Sequence, residues 1–156
     1  MLCLSFVLSS ASSLRGASRC LETVRTCLQL SLPVPSWHTI RLWLLRLGYY
    51  KLTRPKELAT DWIWIIDHTI QLGEEKALVI LGIRLQNIPS DSCLKYEDME
   101  PITLLPVKHS NGKIVYELEK TIEKTGVLRY IIGDYGSDLK VGVETFCRVH
   151  PSRLCL

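Results

Sequence analysis

Two aspartates in the sequence follow short apolar runs, which are positions where a carboxylate can take part in chemistry. Asp67 ends the run Trp62–Ile66, and Asp134 follows the run Tyr130–Ile132 and one glycine. An ionised carboxylate at the end of a buried strand is costly unless a cation compensates its charge. That cation is either a partner side chain or a metal ion, so both aspartates are candidate metal ligands.

Both aspartates also have a structural interpretation. Asp67 could cap the turn into a hairpin, and Asp134 could accept a backbone hydrogen bond within the turn that contains Gly136. Asp138 competes with Asp134 as a ligand, although an acid at the start of a helix is favourable in any case. The residue types alone leave these alternatives open.

The segments around Asp67 predict a buried antiparallel hairpin. In residues 62–67 both alternating sets of side chains are apolar until Asp67, which is typical of a central strand covered on both faces. Residues 73–75 (Gly-Glu-Glu) supply a turn, and Ala77–Ile83 forms the second strand. The same alternation turns His68 to the side opposite Asp67.

The later segments predict more strands and helices. Pro101–Val107 is a third strand, and Pro106 favours a place at the edge of the sheet or at a bulge. Lys113–Lys124 is a helix on which Glu117 is expected to face water. The apolar run before the second aspartate is a fourth strand, and Ser137 is expected to cap a last helix.

The N-terminal part predicts two helices joined by a proline-containing segment. Ser12–Leu30 carries apolar residues at helical spacing. Trp37–Leu47 has Ser36 as its N-cap and Gly48 as its C-terminal stop. Two such helices joined to a further domain are typical of a helix-turn-helix.

In this order the segments resemble the RNase H-like catalytic core of DDE transposases and retroviral-type integrases, and most closely a bacterial insertion-sequence transposase family. The resemblance covers about Ser36 to Pro151 and rests on residues 64–69, 73–76, 78–83 and 133–140. It implies an α/β fold, in which a helix-turn-helix-like segment (residues 1–51) and a linker (52–60) precede an incomplete RNase H-like mixed sheet with flanking helices (61–156).

The resemblance also implies a reaction, namely metal-dependent phosphodiester cleavage and strand transfer. The first and fourth strands of RNase H-like cores are neighbours, so Asp67 and Asp134 would approach each other and share a metal as catalytic residues. The integrase-type Asp-x-Gly-Ser pattern selects Asp134 over Asp138. The implied cofactor is Mg²⁺ or Mn²⁺, with two ions in a complete member of the family.

The implied partner is DNA, both the element ends and the target. Residues 1–60 carry eight Lys/Arg and two Glu, whereas residues 61–156 carry eleven Lys/Arg and fourteen Asp/Glu. A basic first part suits phosphate contacts, and His38, Arg41, Arg46 and Lys51 are the residues expected to touch DNA. The alternatives are a chance charge imbalance and a helical hairpin that only packs on the core.

One catalytic residue of the family has no counterpart in the sequence. The third acid is usually a Glu on a helix after a fifth strand, and Glu144 comes too early for that role. We therefore expect a truncated and catalytically incomplete copy with exposed apolar surface. The alternative functions are a non-catalytic DNA-binding fragment that competes for element ends, and an inert remnant.

The remaining features bear on the compartment and on assembly. The six cysteines form no CxxC pair, so they are expected to be buried small side chains in a reducing cytosol. Residues 1–13 lack the basic start of a signal peptide and are too short to span a bilayer. A cytoplasmic, nucleoid-associated bacterial protein is expected, with no membrane partner and with a possible homo-oligomer.

Overall fold

The computed structural model describes residues 2–72, 75–88, 90, 93–107, 111–134 and 136–151. The predicted turn residues Gly73 and Glu74 lie outside these ranges. The chain divides into two compact units, residues 1–51 and residues 52–156. The division falls between Lys51 and Leu52, where the sequence placed the start of a linker.

Among the described residues three helices come first in the chain, and three strands, a helix, a fourth strand and a last helix follow. The helices are α1 (Leu2–Ser9), α2 (Leu14–Cys27), α3 (Trp37–Thr53), α4 (Asn111–Thr125) and α5 (Ser137–Val149). The strands are β1 (Ala59–Leu72), β2 (Glu75–Arg84), β3 (Glu100–Val107) and β4 (Gly126–Gly133). In the part of the chain that the structure describes, no helix is both long and apolar enough to cross a membrane.

The first unit has a small core of its own. Cys3, Ala17, Leu21 and Ile40 are buried together, so each of the three helices contributes to it. The N-terminus of α3 is capped as predicted, since the Ser36 hydroxyl accepts a hydrogen bond from the Thr39 N–H at 3.3 Å.

The predicted end of α3 is wrong, because the helix continues through Gly48 to Thr53. A glycine inside a helix costs about 0.5–1 kcal/mol relative to alanine. The helix nevertheless continues for five residues after Gly48, so this cost does not end it. Gly48 also has no atom within 4 Å of the position of an added Cβ, so no close contact requires a glycine there.

The second unit is built on a mixed four-stranded sheet with the order β3-β2-β1-β4. Strand β1 pairs with β2 in antiparallel and with β4 in parallel register, and β2 pairs with β3 in antiparallel register. The prediction that the Asp67 strand is central is confirmed. Strand β3 lies at an edge, as Pro106 indicated.

Helices α4 and α5 cover one face of this sheet, which we call the covered face. Its core joins strand residues such as Trp64 and Ile80 to Leu118 of α4 and Phe146 of α5, and all four are fully buried. Two details of the prediction are corrected. Glu117, which was expected to face water, is buried, because the side of α4 that faces the sheet includes residues beside the apolar stripe. Helix α5 begins at Ser137 with Gly136 as its N-cap.

The opposite face of the sheet, which we call the open face, is partly uncovered. It carries two cross-strand pairs of apolar residues, Ile65 with Ile132 and Val79 with Leu104. Ile132 is 54% exposed and Leu104 is 51% exposed. The expectation of exposed apolar surface therefore agrees with the described residues.

The cysteines depart from the expectation that they are all buried. Cys3 is buried, but Cys20, Cys27 and Cys93 are exposed. At about 100° per residue, Cys20 and Cys27 project from α2 on a different side from the buried Ala17 and Leu21. The two cysteines, seven residues apart, therefore share one side of the helix, and that side faces solvent.

Candidate functional site

The two candidate ligands follow the last paired residues of two adjacent parallel strands. Ile65 pairs with Ile132 and Ile66 pairs with Gly133, and the next residue on each strand is an aspartate. Neighbouring strands lie about 4.8 Å apart. Asp67 and Asp134 therefore lie at the same level, on chains that run in the same direction. Asp134 directly follows β4, whereas Asp67 lies within β1, which continues to Leu72 beside β2 and does not end at this acid as the sequence predicted.

Both aspartates belong to the open face. Side chains alternate along a strand, and Ile66 is part of the core on the covered face. A Cβ added to Gly133 would lie 3.6 Å from the Cδ2 of Leu139 on α5, so Gly133 also faces the covered side. Asp67 and Asp134, one residue further on, are placed on the opposite face.

The surroundings of the two carboxylates differ. Asp67 is half-buried and stands beside Val79 of β2. Asp134 is exposed, and its Oδ1 accepts a hydrogen bond from the Gly136 N–H at 3.1 Å. The turn that the sequence offered as an alternative role for Asp134 is thus present. A carboxylate has about four lone-pair sites, so this bond leaves capacity for another ligand.

This pair of side chains fits a hard divalent cation in ligand type. Carboxylate oxygens are the protein ligands that Mg²⁺ prefers, and Mg²⁺ keeps several waters when one or two carboxylates bind it. Within the described ranges, no group of three or more His, Cys, Asp or Glu side chains is placed to hold a metal. Asp67 and Asp134 therefore remain two candidate ligands on neighbouring chains.

Two other candidate ligands, Glu144 and His68, lie on the covered side of the sheet. Glu144 lines a groove beside Ile131 and Gly133, between β4 and α5, on the covered side of the sheet. His68 pairs with Leu78, a core residue of the covered face, so it turns away from Asp67 as the alternation predicted.

The residues expected to touch DNA lie around α3 without forming one face. At about 100° per residue, His38 and Arg41 are about 60° apart, whereas Arg46 is about 140° from Arg41. Lys51 is on nearly the same side as the buried Ile40. All four residues lie on α3 as expected, but they do not share one surface.

The helix-turn-helix expectation also requires correction. Such motifs join their two helices by about three or four residues, whereas residues 28–36 separate α2 from α3. The outward side of α3 carries the exposed Leu42, Leu45 and Tyr49. This surface is apolar and is flanked by basic residues, which differs from a polar recognition helix.

A charged cluster at the start of β1 was not predicted. The Arg84 Nε donates to Asp61, and its guanidinium also contacts Glu57 at 2.6 Å. Burial alone raises the pKa of Asp61, but the hydrogen bond and charge of Arg84 and the Gln86 N–H hold that pKa below its usual value. The register that pairs Trp62 with Arg84 could have revealed the cluster.

Comparisons with other proteins supply no identification. No protein-family model and no curated protein matches the sequence. The functional assignment therefore depends on the residues and on the geometry of the sheet.

Proposed function

We propose that this chain carries the catalytic-core architecture of a DDE-type transposase, with Asp67 and Asp134 as the ligands of a divalent metal. The observation that carries the proposal is the parallel pairing of β1 with β4, in which an aspartate follows each member of the last pair, Ile66 and Gly133. RNase H-like cores are expected to have neighbouring first and fourth strands, and the order β3-β2-β1-β4 agrees with that expectation.

The rigidity of the sheet supports a ligand role for both residues. Strand β1 is bonded on both sides up to Ile66, so the backbone before Asp67 is fixed by two neighbours. The Gly136 N–H orients the Asp134 carboxylate. Ligands held on rigid elements keep their geometry when a substrate binds.

A bound Mg²⁺ or Mn²⁺ would supply the activation of a nucleophile and the stabilisation of a leaving oxyanion that phosphodiester cleavage needs. In this chain Asp67 and Asp134 would hold and orient that ion. The two carboxylates provide fewer protein ligands than the family expects. We therefore propose weak metal binding and little or no turnover for this chain.

The proposed partner of the first unit is DNA. From residue 23 to residue 56 the sequence has no Asp or Glu, and every charged side chain there is basic. Such a stretch favours phosphate contacts, which weaken steeply as salt is added. Because the arginines of α3 lie on different sides, we propose backbone contacts by Arg41 and Arg46 without base-specific recognition.

Titration calorimetry with Mn²⁺ and with Mg²⁺ tests the metal site. Asp67→Asn and Asp134→Asn should each lower the affinity at least about tenfold, equivalent to about 1.4 kcal/mol. Glu123→Gln, which removes an exposed carboxylate of α4, is the matched control and should leave the affinity unchanged. Affinity that survives both aspartate substitutions would refute the assignment.

A second candidate function is a non-catalytic DNA-binding protein, which the acid-free stretch 23–56 favours by itself. Fluorescence anisotropy with a labelled duplex at several salt concentrations tests it. Arg41→Gln and Arg46→Gln should each weaken binding and reduce its salt dependence, whereas Lys124→Gln on α4 should not. Binding that is insensitive to salt and to both arginine substitutions would contradict a DNA-binding role.

A further inference from the structure

The outer edge of β4 has no pairing strand in the part of the chain that the structure describes. Edge strands of this kind are normally protected by prolines, charged residues or a covering segment. The other edge of the sheet has such protection, because β3 contains Pro101 and Pro106. Strand β4 contains no proline, and its one charged residue is Arg129.

The regular part of this edge begins after Arg129. Trp62 and Ile63 of β1 pair with Leu128 and Tyr130, so Arg129 is an extra residue that bulges from the ladder. Residues 130–133 then pair with β1 without interruption. These four residues present their outward backbone groups in an extended conformation that a further strand can match.

Apolar side chains line both sides of the β4 edge. On the open face Tyr130 is 45% exposed, and Ile132 is also largely exposed. On the covered face a groove runs between β4 and α5, with Ile131, Leu139 and Val143 among its walls. A partner strand at this edge would bury apolar surface on both faces.

The rim of the groove indicates which partner fits. Lys140 and Glu144 both line it, one turn apart on α5, with their charged groups 3.9 Å from each other. A two-fold interface brings the same patch of both subunits together, so it requires a patch that complements itself. A surface that carries both signs meets this requirement, whereas every charged residue of α3 is basic and offers no opposite charge to its own copy.

We propose that β4 pairs in antiparallel fashion with β4 of a second copy of this chain. The two sheets would join into one sheet of eight strands, and the two α5 helices would flank the seam on the covered face. Lys140 of each copy would then meet Glu144 of the other. The outward backbone groups of residues 130–133 would gain hydrogen-bond partners, and Ile132 would lose much of its exposure.

Sedimentation equilibrium of the full chain across a wide concentration range tests this proposal. The parent should show a reversible dimer. Ile132→Lys, which adds a charge at an exposed position of the seam, should raise the dissociation constant at least about tenfold. Leu104→Lys is the matched control, because Leu104 is equally exposed on the same face but lies at the opposite edge.

A charge swap separates this interface from other modes of association. Lys140→Glu or Glu144→Lys alone should weaken the dimer, and the double variant should restore it, with circular dichroism checking that each variant folds. A monomeric parent would overturn the proposal. So would a dimer that tolerates Ile132→Lys but is lost in Leu42→Lys, which would place the contact on α3.

Discussion

The Asp134 Oδ1 accepts a hydrogen bond from the Gly136 N–H at 3.1 Å, so the proposed metal ligand also closes a turn. The two roles can be separated by substitution. Asp134→Asn keeps an oxygen that can accept this bond but removes the charge, whereas Asp134→Ala removes both. The asparagine variant should keep the parent stability and lose metal affinity.

Asp134→Ala should lower the free energy of unfolding by about 0.5–1 kcal/mol, because the turn loses one hydrogen bond. Urea denaturation beside metal titration measures both effects. An asparagine variant that binds metal as the parent does would show that the carboxylate serves only the turn.

Gly82 stands where the sheet has no room for a side chain. A Cβ at this position would lie 2.9 Å from the ring of the buried Trp62 and would also overlap Ile102. Overpacking of a core costs about 1–3 kcal/mol. We therefore expect Gly82→Ala to lower the free energy of unfolding of the second unit by about 2 kcal/mol.

Gly133→Ala is the matched comparison, since its added Cβ would meet Ile66 O at 3.4 Å and Leu139 Cδ2 at 3.6 Å, which are ordinary contact distances. It should change the free energy of unfolding by no more than about 0.5 kcal/mol. Equal destabilisation by both substitutions would show that crowding by Trp62 and Ile102 is not the cause.

The amino-acid pattern predicted where the strands and helices of the second unit lie better than it predicted which strands pair. Alternation identified β1 as a central strand, although its open face is only partly covered, and Pro106 placed β3 at an edge. The parallel pairing of β1 with β4 is a contact between segments separated by two strands and a helix. No local pattern determines such a contact, and it was expected only from the resemblance.

In the first unit the pattern predicted the helices but not which side of α3 is buried. Helix α3 is apolar around most of its circumference, so the periodicity did not tell its buried side from its exposed side. Ile40 is buried, whereas Leu42 and Leu45 are exposed. The basic residues consequently lack a common face, although each of them was recognised as a charged position on a helix.

The ion pairs of Arg84 make the free energy of unfolding depend on pH. The pKa of Asp61 is lower in the folded chain than its usual value of about 3.9, so its contribution is complete above that pH and is lost as the pH falls through the folded pKa. The free energy of unfolding should therefore fall in acid. Asp61→Asn should remove part of this dependence.

Glu100 supplies another part of the same acid dependence. Burial raises its pKa, but the hydrogen bonds and charges of Arg54 and Lys56 lower it overall. Urea denaturation at several acidic pH values gives the free energy of unfolding as a function of pH for the parent and for Asp61→Asn. The slope of that dependence should be smaller in the variant. Identical slopes for the two proteins would show that the Asp61 carboxylate has the same pKa in the folded and in the unfolded chain.

Arg84→Gln tests the cation of this cluster. Arg84 is mostly buried beside Asp61 and Glu57, and its guanidinium lies over the Trp62 ring at 5.7 Å. Hydrogen bonds to charged groups are worth about 1.5–3 kcal/mol each. A loss of about 2 kcal/mol in the free energy of unfolding is expected, and Arg54→Gln, whose side chain is more exposed, should cost less.

The hydroxyls of Thr103 and Thr121 meet inside the core at 3.1 Å, where β3 contacts α4. Thr121 donates to the Glu117 carbonyl at 2.7 Å, so the proton between the two hydroxyls comes from Thr103. Thr121→Val leaves the Thr103 hydroxyl buried without its acceptor, which should cost about 1–3 kcal/mol. The double variant Thr103→Val/Thr121→Val removes both groups and should be more stable than the Thr121→Val single variant. A double-mutant cycle by urea denaturation measures this coupling, and strictly additive effects would mean that the two hydroxyls do not depend on each other.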